Sequence, residues 1–318
     1  MTGEEPVFVV GCGRSGTTLL RTILDAHPEL AIAHEARFIP RLARRRSRYE
    51  RNGGFDTEGL IADLDGNPAI THNLEMTADD LRAALRSRSG EAPVADYPDA
   101  VARIFGAYAR RHGKRRWGDK MPGYVMQLPL LASLFPGAQF VHIVRDGRDV
   151  ALSALAFDGD DDLALAACNW RHRVTTGRRD GTALGAGRYR EVRYEDLVDD
   201  GAATVAELCS FLGVDFDGRM LAVPATGSVP ARLLANPHHA RLHEPVSRGP
   251  RSWRTDMAGD DVALVEALAG PVLADFGYEL AASPVGRDVR LKAALARARW
   301  QFARARSQRA PGPGRRAP

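Results

Sequence analysis

Cysteine is scarce in this 318-residue chain: Cys12, Cys168 and Cys209 are the whole complement. Three scattered thiols cannot build a disulfide framework or a zinc site. They suit a reducing compartment. Lysine is just as sparse. Of 44 basic residues only Lys114, Lys120 and Lys292 are lysine. This arginine-, alanine- and glycine-rich usage fits a G+C-rich bacterial coding bias. Against that background a lysine marks a place that needs a compact ammonium and not a planar guanidinium. Long apolar runs are missing too, and nothing approaches the roughly 20 residues of a membrane span. The opening stretch MTGEEPVFVVGCGRSGTT has acids where a signal peptide needs basic residues. These absences predict a soluble cytoplasmic protein. No cluster of His, Cys, Asp and Glu has ligand spacing, so no metal is expected. The run Asp158, Asp160, Asp161, Asp162 reads as a solvated surface.

The net charge of +4 conceals a split. From Arg287 onward ten basic residues accompany one acid, Asp288, so that tail carries +9 and the remainder −5. The basic balance belongs to the tail, and no nucleic-acid partner is expected for the body.

Residues 6–10, PVFVV, read as a buried strand ending at Gly11. A glycine-bearing turn follows, and then SGTTLLRTILDAHP reads as a helix, with Leu19, Leu20, Ile23 and Leu24 at helical spacing and Pro28 as its stop. Residues 137–145 predict a second strand followed by a helix over DGRDVALSALAF. Residues 188–194 predict a third strand, and EDLVDDGAATVAELCSFLG a helix ending at Gly213. Residues 41–113 read as a helical insertion that could wall an acceptor site. DDVALVEALAGPVLADFG reads as a helix. VRLKAALARARWQFARARSQ reads as another, with Leu291, Leu295, Ala298 and Phe302 on one face, and 310–318 as a disordered end. Alternating strands and helices predict an α/β fold, a P-loop-like, mainly parallel sheet flanked by helices. One domain is expected over 1–286, with the basic helical tail at 287–318.

Residues 11–18 read G-C-G-R-S-G-T-T, the glycine spacing of a P-loop with Thr17 in place of its lysine. Gly11, Gly13 and Gly16 permit tight turns, and the amides at the helix N-terminus favour an anion. Arg14 adds fixed positive charge, while Ser15, Thr17 and Thr18 supply hydroxyls. Without the lysine, the loop suits a smaller terminal anion than a nucleoside triphosphate.

GRSGTTLLRTILDAHPEL, with HEARFIPRL downstream, resembles the 5′-phosphosulfate loop of sulfotransferases. It is most similar to the tyrosylprotein sulfotransferases and their bacterial relatives. The resemblance implies 3′-phosphoadenosine 5′-phosphosulfate (PAPS) as co-substrate, bound through Gly13, Arg14, Ser15, Gly16, Thr17 and Thr18. It also implies a metal-free transfer to a hydroxyl-bearing acceptor. In FVHIVRDGRDVALSAL it makes Arg145 and Ser153 the 3′-phosphate ligands. The other reading there is Arg145 and Arg148 paired with Asp146 and Asp149 as surface charges. Tyr194 resembles the tyrosine beside the adenine. Arg248–Gly249 resembles an Arg-Lys-Gly element that closes over the 3′-phosphate, with the lysine missing and Arg251 as a substitute.

The resemblance makes Glu35, in AHEARFIP, the base that takes the acceptor proton, with His34 as runner-up. The alternative is a surface glutamate paired with Arg37. Lys120, in WGDKMPGYV, resembles the family's Asp-Lys-x-Pro segment and would follow developing charge, shared with Arg14. The alternative is a lysine in a surface turn. Arg37 is expected to face the acceptor. Animal tyrosylprotein sulfotransferases are membrane-anchored and no anchor is read in this sequence, so a metabolite, glycan or lipid hydroxyl is expected ahead of a tyrosyl group. Two other readings stay open: a P-loop small-molecule kinase, and a non-catalytic anion-binding protein. The basic tail could in either case contact an anionic membrane peripherally.

Overall fold

The computed structural model describes residues 5–51, 53–86, 92–157, 162–222, 252–281 and 286–309. Arg248, Gly249 and Arg251 lie outside them, as do Asp158, Asp160, Asp161 and the end 310–318. The chain divides into two compact units. One comprises the described residues of Met1–Val144 and Thr176–Arg248, and the other those of Arg145–Thr175 and Gly249–Pro318.

The first unit is built on five parallel strands: β1 (Val7–Gly11), β2 (Leu30–His34), β5 (Arg116–Lys120), β6 (Gln139–Val144) and β7 (Tyr189–Arg193). Their order across the sheet is β2-β5-β1-β6-β7. A short antiparallel pair, β3 (Glu50–Arg51) and β4 (Gly54–Phe55), stands apart. Both faces of the large sheet are buried, as a parallel sheet requires. The period of two divides β1 cleanly. Phe8 and Val10 enter one core with Phe105, Trp117 and Phe140, while Val7 and Val9 enter the other with Leu20, Ile23 and Val141.

The first core is closed by α3 (Thr57–Leu64), α4 (Ala78–Leu85), α5 (Tyr97–Arg111) and α6 (Leu128–Leu134). Stretch 41–113 is thus mainly helical, interrupted by the β3–β4 pair. The second core is closed by α1 (Thr17–Asp25), α9 (Tyr194–Asp199) and α10 (Gly201–Leu212). The single helix expected over 195–213 is two helices. Asp200 breaks it and caps α10 by accepting from the Ala203 amide at 3.2 Å. Gly213 ends α10 in the left-handed conformation.

Two strands carry no strand signal in the sequence. Leu30–His34 is short and alanine-bearing. Arg116–Lys120 reads Arg-Trp-Gly-Asp-Lys, charged at both ends, yet every one of its residues is buried. Pairing on both sides supplies what β5 lacks in local propensity, while β2, at the sheet edge, pairs with β5 alone.

The first unit also holds the short helices α2 (Phe38–Ala43) and α11 (Arg219–Ala222), and the second unit contains α7 (Gly147–Phe157), α12 (Trp253–Asp256), α13 (Gly259–Asp275) and α14 (Arg287–Arg309). Helix α8 (Leu163–Thr182), which no sequence pattern announced, contributes its first part to the second unit and its last turns to the first. Among the described residues no helix is long and apolar enough to cross a membrane.

Candidate functional site

Parallel pairing sends the carboxyl ends of β1, β2 and β5 to one edge of the sheet. His34 pairs in register with Lys120, and Val9 with Lys120 on the other side. Beyond those ends lie the Gly11–Thr18 turn, the His34–Arg37 turn and Met121. In open α/β sheets this edge is where ligands bind.

Backbone demands explain the turn after β1. Gly11 tolerates no side chain, since a Cβ there would stand 2.6 Å from the Ile143 carbonyl oxygen. Gly16 has φ +86°, and the Tyr194 ring occupies the place where its Cβ would go. Tyr194 is therefore packed on the loop, with its ring part of the second core. Helix α1 starts at Thr17 with no side-chain cap and no acid in its first turn. No side-chain cap competes for the helix start, whose partial positive charge favours an anion. Ser15 Oγ is buried and has no hydrogen-bond partner. Space is open where a Cβ on Gly13 would sit. An orphaned donor, open space and an uncapped helix start fit an anionic group.

Lys120 is the centre of the site. Its side chain is 1% exposed, and its ammonium donates to Glu35 Oε1 at 2.8 Å, Thr18 Oγ1 at 3.2 Å and His34 Nε2 at 3.1 Å. The surface-turn alternative for Lys120 is thereby excluded. An ammonium only donates, so His34 Nε2 is the acceptor in this contact. Glu35 Oε2 accepts a second bond, from Arg37. The pairing of Glu35 with Arg37 thus exists, but Glu35 is largely buried and Lys120 holds its other oxygen.

Burial pushes the Glu35 carboxyl up, but the charge and hydrogen bond of Lys120, with help from Arg37, outweigh it and bring it down to about 2. Burial lowers Lys120 itself, against the opposing pull of Glu35.

Asp119 was given no role by the sequence, although it precedes Lys120 in the quoted segment. It is buried and accepts the Ala36 amide at 3.2 Å, while the Lys120 carbonyl accepts the Glu35 amide at 2.8 Å. The end of β5 therefore holds the turn that carries Glu35. Asn73 adds a bond to the Glu35 carbonyl at 3.3 Å. Burial pushes the Asp119 carboxyl up to about 7. Only Arg14, Glu35, Arg37 and Glu75 among the described non-glycine residues have positive φ. Three of these four belong to the two turns at this edge, and strained backbone concentrates at functional sites.

Arg37 is exposed. With Phe38, Arg41, Asp63, Asp65 and Asn67 it lines a cavity of about 380 Å³, a volume suited to a small ligand.

In the second unit Arg145 stands 3.6 Å from Asp149, and Trp170 Nε1 donates to the Arg145 carbonyl at 3.0 Å. Asp149 also accepts the Trp253 amide at 2.7 Å. Ser153 lies half-buried in α7. Arg148 is paired with Asp146, as the surface-charge reading supposed, but both are buried. Among the described residues no group of three or more His, Cys, Asp or Glu side chains is arranged to hold a metal ion.

Comparison with known proteins agrees with this architecture. The model of the sulfotransferase family matches residues 6–218. The Drosophila melanogaster protein-tyrosine sulfotransferase is 27% identical over 289 residues, which covers 87% of this chain and 52% of that protein. The chain therefore spans about half the length of that relative. The Gallus gallus protein-tyrosine sulfotransferase 2 is 27% identical over 291 residues, covering 87% of this chain and 70% of its own length. Among solved structures, the sulfotransferase domain of the Synechococcus PCC 7002 olefin synthase superposes with a TM-score of 0.57 at 26% identity, over 88% of this chain and 98% of the domain.

Proposed function

The chain belongs to the sulfotransferase family, and from that premise we propose that it moves a sulfuryl group from PAPS to the hydroxyl of an acceptor. The observation that carries the proposal is the buried Lys120 ammonium shared between Thr18 of the glycine turn and Glu35. It joins an anion-binding loop to a carboxylate base through one mobile cation. The donor supplies an activated sulfuryl group on a phosphosulfate anhydride.

The residues of this chain do the rest. The amides of residues 14–18, Arg14 and the hydroxyls of Ser15, Thr17 and Thr18 bind the 5′ end. By family resemblance Arg145 and Ser153 hold the 3′-phosphate. Lys120 turns from Glu35 toward the incoming negative charge and stabilises what develops in the transition state. Losing that partner releases Glu35 to the influence of burial, which raises its carboxyl from its resting value. Glu35 then accepts the acceptor's proton as the hydroxyl attacks. The ion pair is thus a resting lock that donor binding opens. The cavity lined by Arg37 and Arg41 is the acceptor entrance in this reading. Its mixed cations and acids suit a polar hydroxyl compound better than an apolar one. The similarity to protein-tyrosine sulfotransferases makes a tyrosyl group one member of that class.

Calorimetric titration with adenosine 3′,5′-bisphosphate, run against ATP with magnesium, tests the donor assignment without knowledge of the acceptor. The expected result is bisphosphate binding that Arg145→Ala abolishes. Binding of ATP–magnesium alone would replace this reading with the kinase, and binding of neither would reduce the loop to inherited architecture.

A further inference from the structure

Helix α14 has two faces with different surroundings. On one, Ala293 and Ala296 are buried with Ala164, Ala167, Cys168, Val265 and Leu268. Trp300 Nε1 donates to Asn169 Oδ1 at 2.7 Å, and Arg297 donates to the Ala267 carbonyl. This face fixes the helix, and it is built mainly from small residues. Apart from Trp300, the larger apolar side chains of α14 named below lie on another face.

Leu291, Leu295 and Phe302 are 62%, 58% and 67% exposed. They account for three of the five large apolar side chains that stand exposed among the described residues. At about 100° per residue they fall, with Ala298, within a stripe of roughly 60°. Lys292, Arg299 and Arg306 border it on one side, together with the one acid Asp288, and Arg287 and Arg290 on the other. All five cations are exposed. Arg299 reaches Asp162 at 3.3 Å and keeps most of its exposure. An apolar strip with cations on both borders is the pattern of a helix that lies in a membrane interface.

We propose that this face of α14 docks on an anionic lipid bilayer. The helix lies in the plane of the interface. Leu291, Leu295 and Phe302 enter the boundary between headgroups and acyl chains, and the bordering cations meet the anionic headgroups. Charge complementarity selects the occupant, because the region from Arg287 onward carries +9. A nucleic acid would use the same cations but would leave the central apolar stripe without a role. The proposal does not depend on the sulfuryl-transfer reading.

The test is co-sedimentation of the full chain with vesicles of phosphatidylcholine containing about one third phosphatidylglycerol, and with pure phosphatidylcholine vesicles. Partitioning at least about tenfold stronger on the anionic vesicles is expected, and a further drop of about tenfold or more for Leu295→Asp/Phe302→Asp. These two side chains are exposed, so the variant should keep its helical circular dichroism and its bisphosphate binding. Three results would overturn the proposal. The first is no binding to either vesicle. The second is a double variant that binds like the parent, which would leave charge alone at work. The third is self-association of the parent that the double variant loses, which would make a second copy the occupant.

Discussion

Lys120 and Arg148 are both 1% exposed, yet one is shared and the other is satisfied. Arg148 makes a bidentate pair with Asp146, at 3.0 and 2.7 Å, and donates to Glu266 at 2.6 Å. The Trp253 ring centroid lies 3.6 Å from its guanidinium carbon. The planar fork meets carboxylates in matched geometry, and little is left for it to do. Lys120 instead distributes a compact, movable charge over a carboxylate and an imidazole from one turn and a hydroxyl from another. Two of its neighbours along those turns, Arg14 and Glu35, have positive φ, whereas nothing of the kind surrounds Arg148 among the described residues. Burial of charge alone therefore does not mark a site. A buried charge that can exchange partners, on a strained frame, does.

The strongest test separates turnover from folding at these two places. Glu35→Gln should cut sulfuryl transfer by about 10²–10⁴-fold, the usual worth of a positioned general base. Lys120→Met should cut it by about 10²–10³-fold. Both are read with radiolabelled donor once an acceptor is in hand, beside thermal melts that show the variants folded. Arg148→Met should do the reverse. It leaves Asp146 and Glu266 buried without their cation and should cost about 3–5 kcal/mol of stability, measured by denaturant unfolding. The contrast fails if Lys120→Met unfolds the protein and Arg148→Met does not.

A smaller effect sharpens the first half of the comparison. Asp119 has its carboxyl raised to about 7 by burial. A carboxyl raised above its unfolded value binds a proton in the folded state first. Its contribution to stability is complete below about 4, declines as pH rises, and is lost on passing about 7. Asp119→Asn keeps an acceptor for the Ala36 amide and removes the titration. The melting temperature of Asp119→Asn minus that of the parent should therefore climb between pH 4 and 7 and then level. Glu35 shifts in the other direction, so its loss of stabilisation comes as pH falls toward 2, outside that window. A flat difference would show that Asp119 is ionised in the folded protein throughout.

Much of the first unit was legible residue by residue. The run of β1, the three glycines and the start of α1 are local signals, and each has a local physical cause in strand hydrophobicity, turn geometry and helix periodicity. The second core helix was legible except for its break, because an Asp that caps a helix looks in sequence like any other surface acid. Arg116–Lys120 was illegible as a strand because three of its five side chains are charged. Its burial is imposed by neighbours on both sides. Asp119 passed unnoticed for the same reason, since its partner, the Ala36 amide, lies 83 residues away. The exposed stripe of α14 was visible as a stripe, but not as exposed.

What the sequence determined by itself, then, is the set of parts: a glycine turn that exposes amides, a glutamate, a scarce lysine and a basic amphipathic helix. Their chemistry is carried by short segments and survives any arrangement. Only the tertiary structure decided which parts meet. Inserting β5 between β2 and β1 in parallel register brings Lys120 to Glu35 and Thr18, across 85 and 102 residues of chain. The same step buries the ammonium so that one carboxylate governs it. Packing of small alanines on one side of α14 likewise leaves its leucines and phenylalanine facing outward. Contacts between distant segments depend on strand order and packing, and neither is written in any local window of residues.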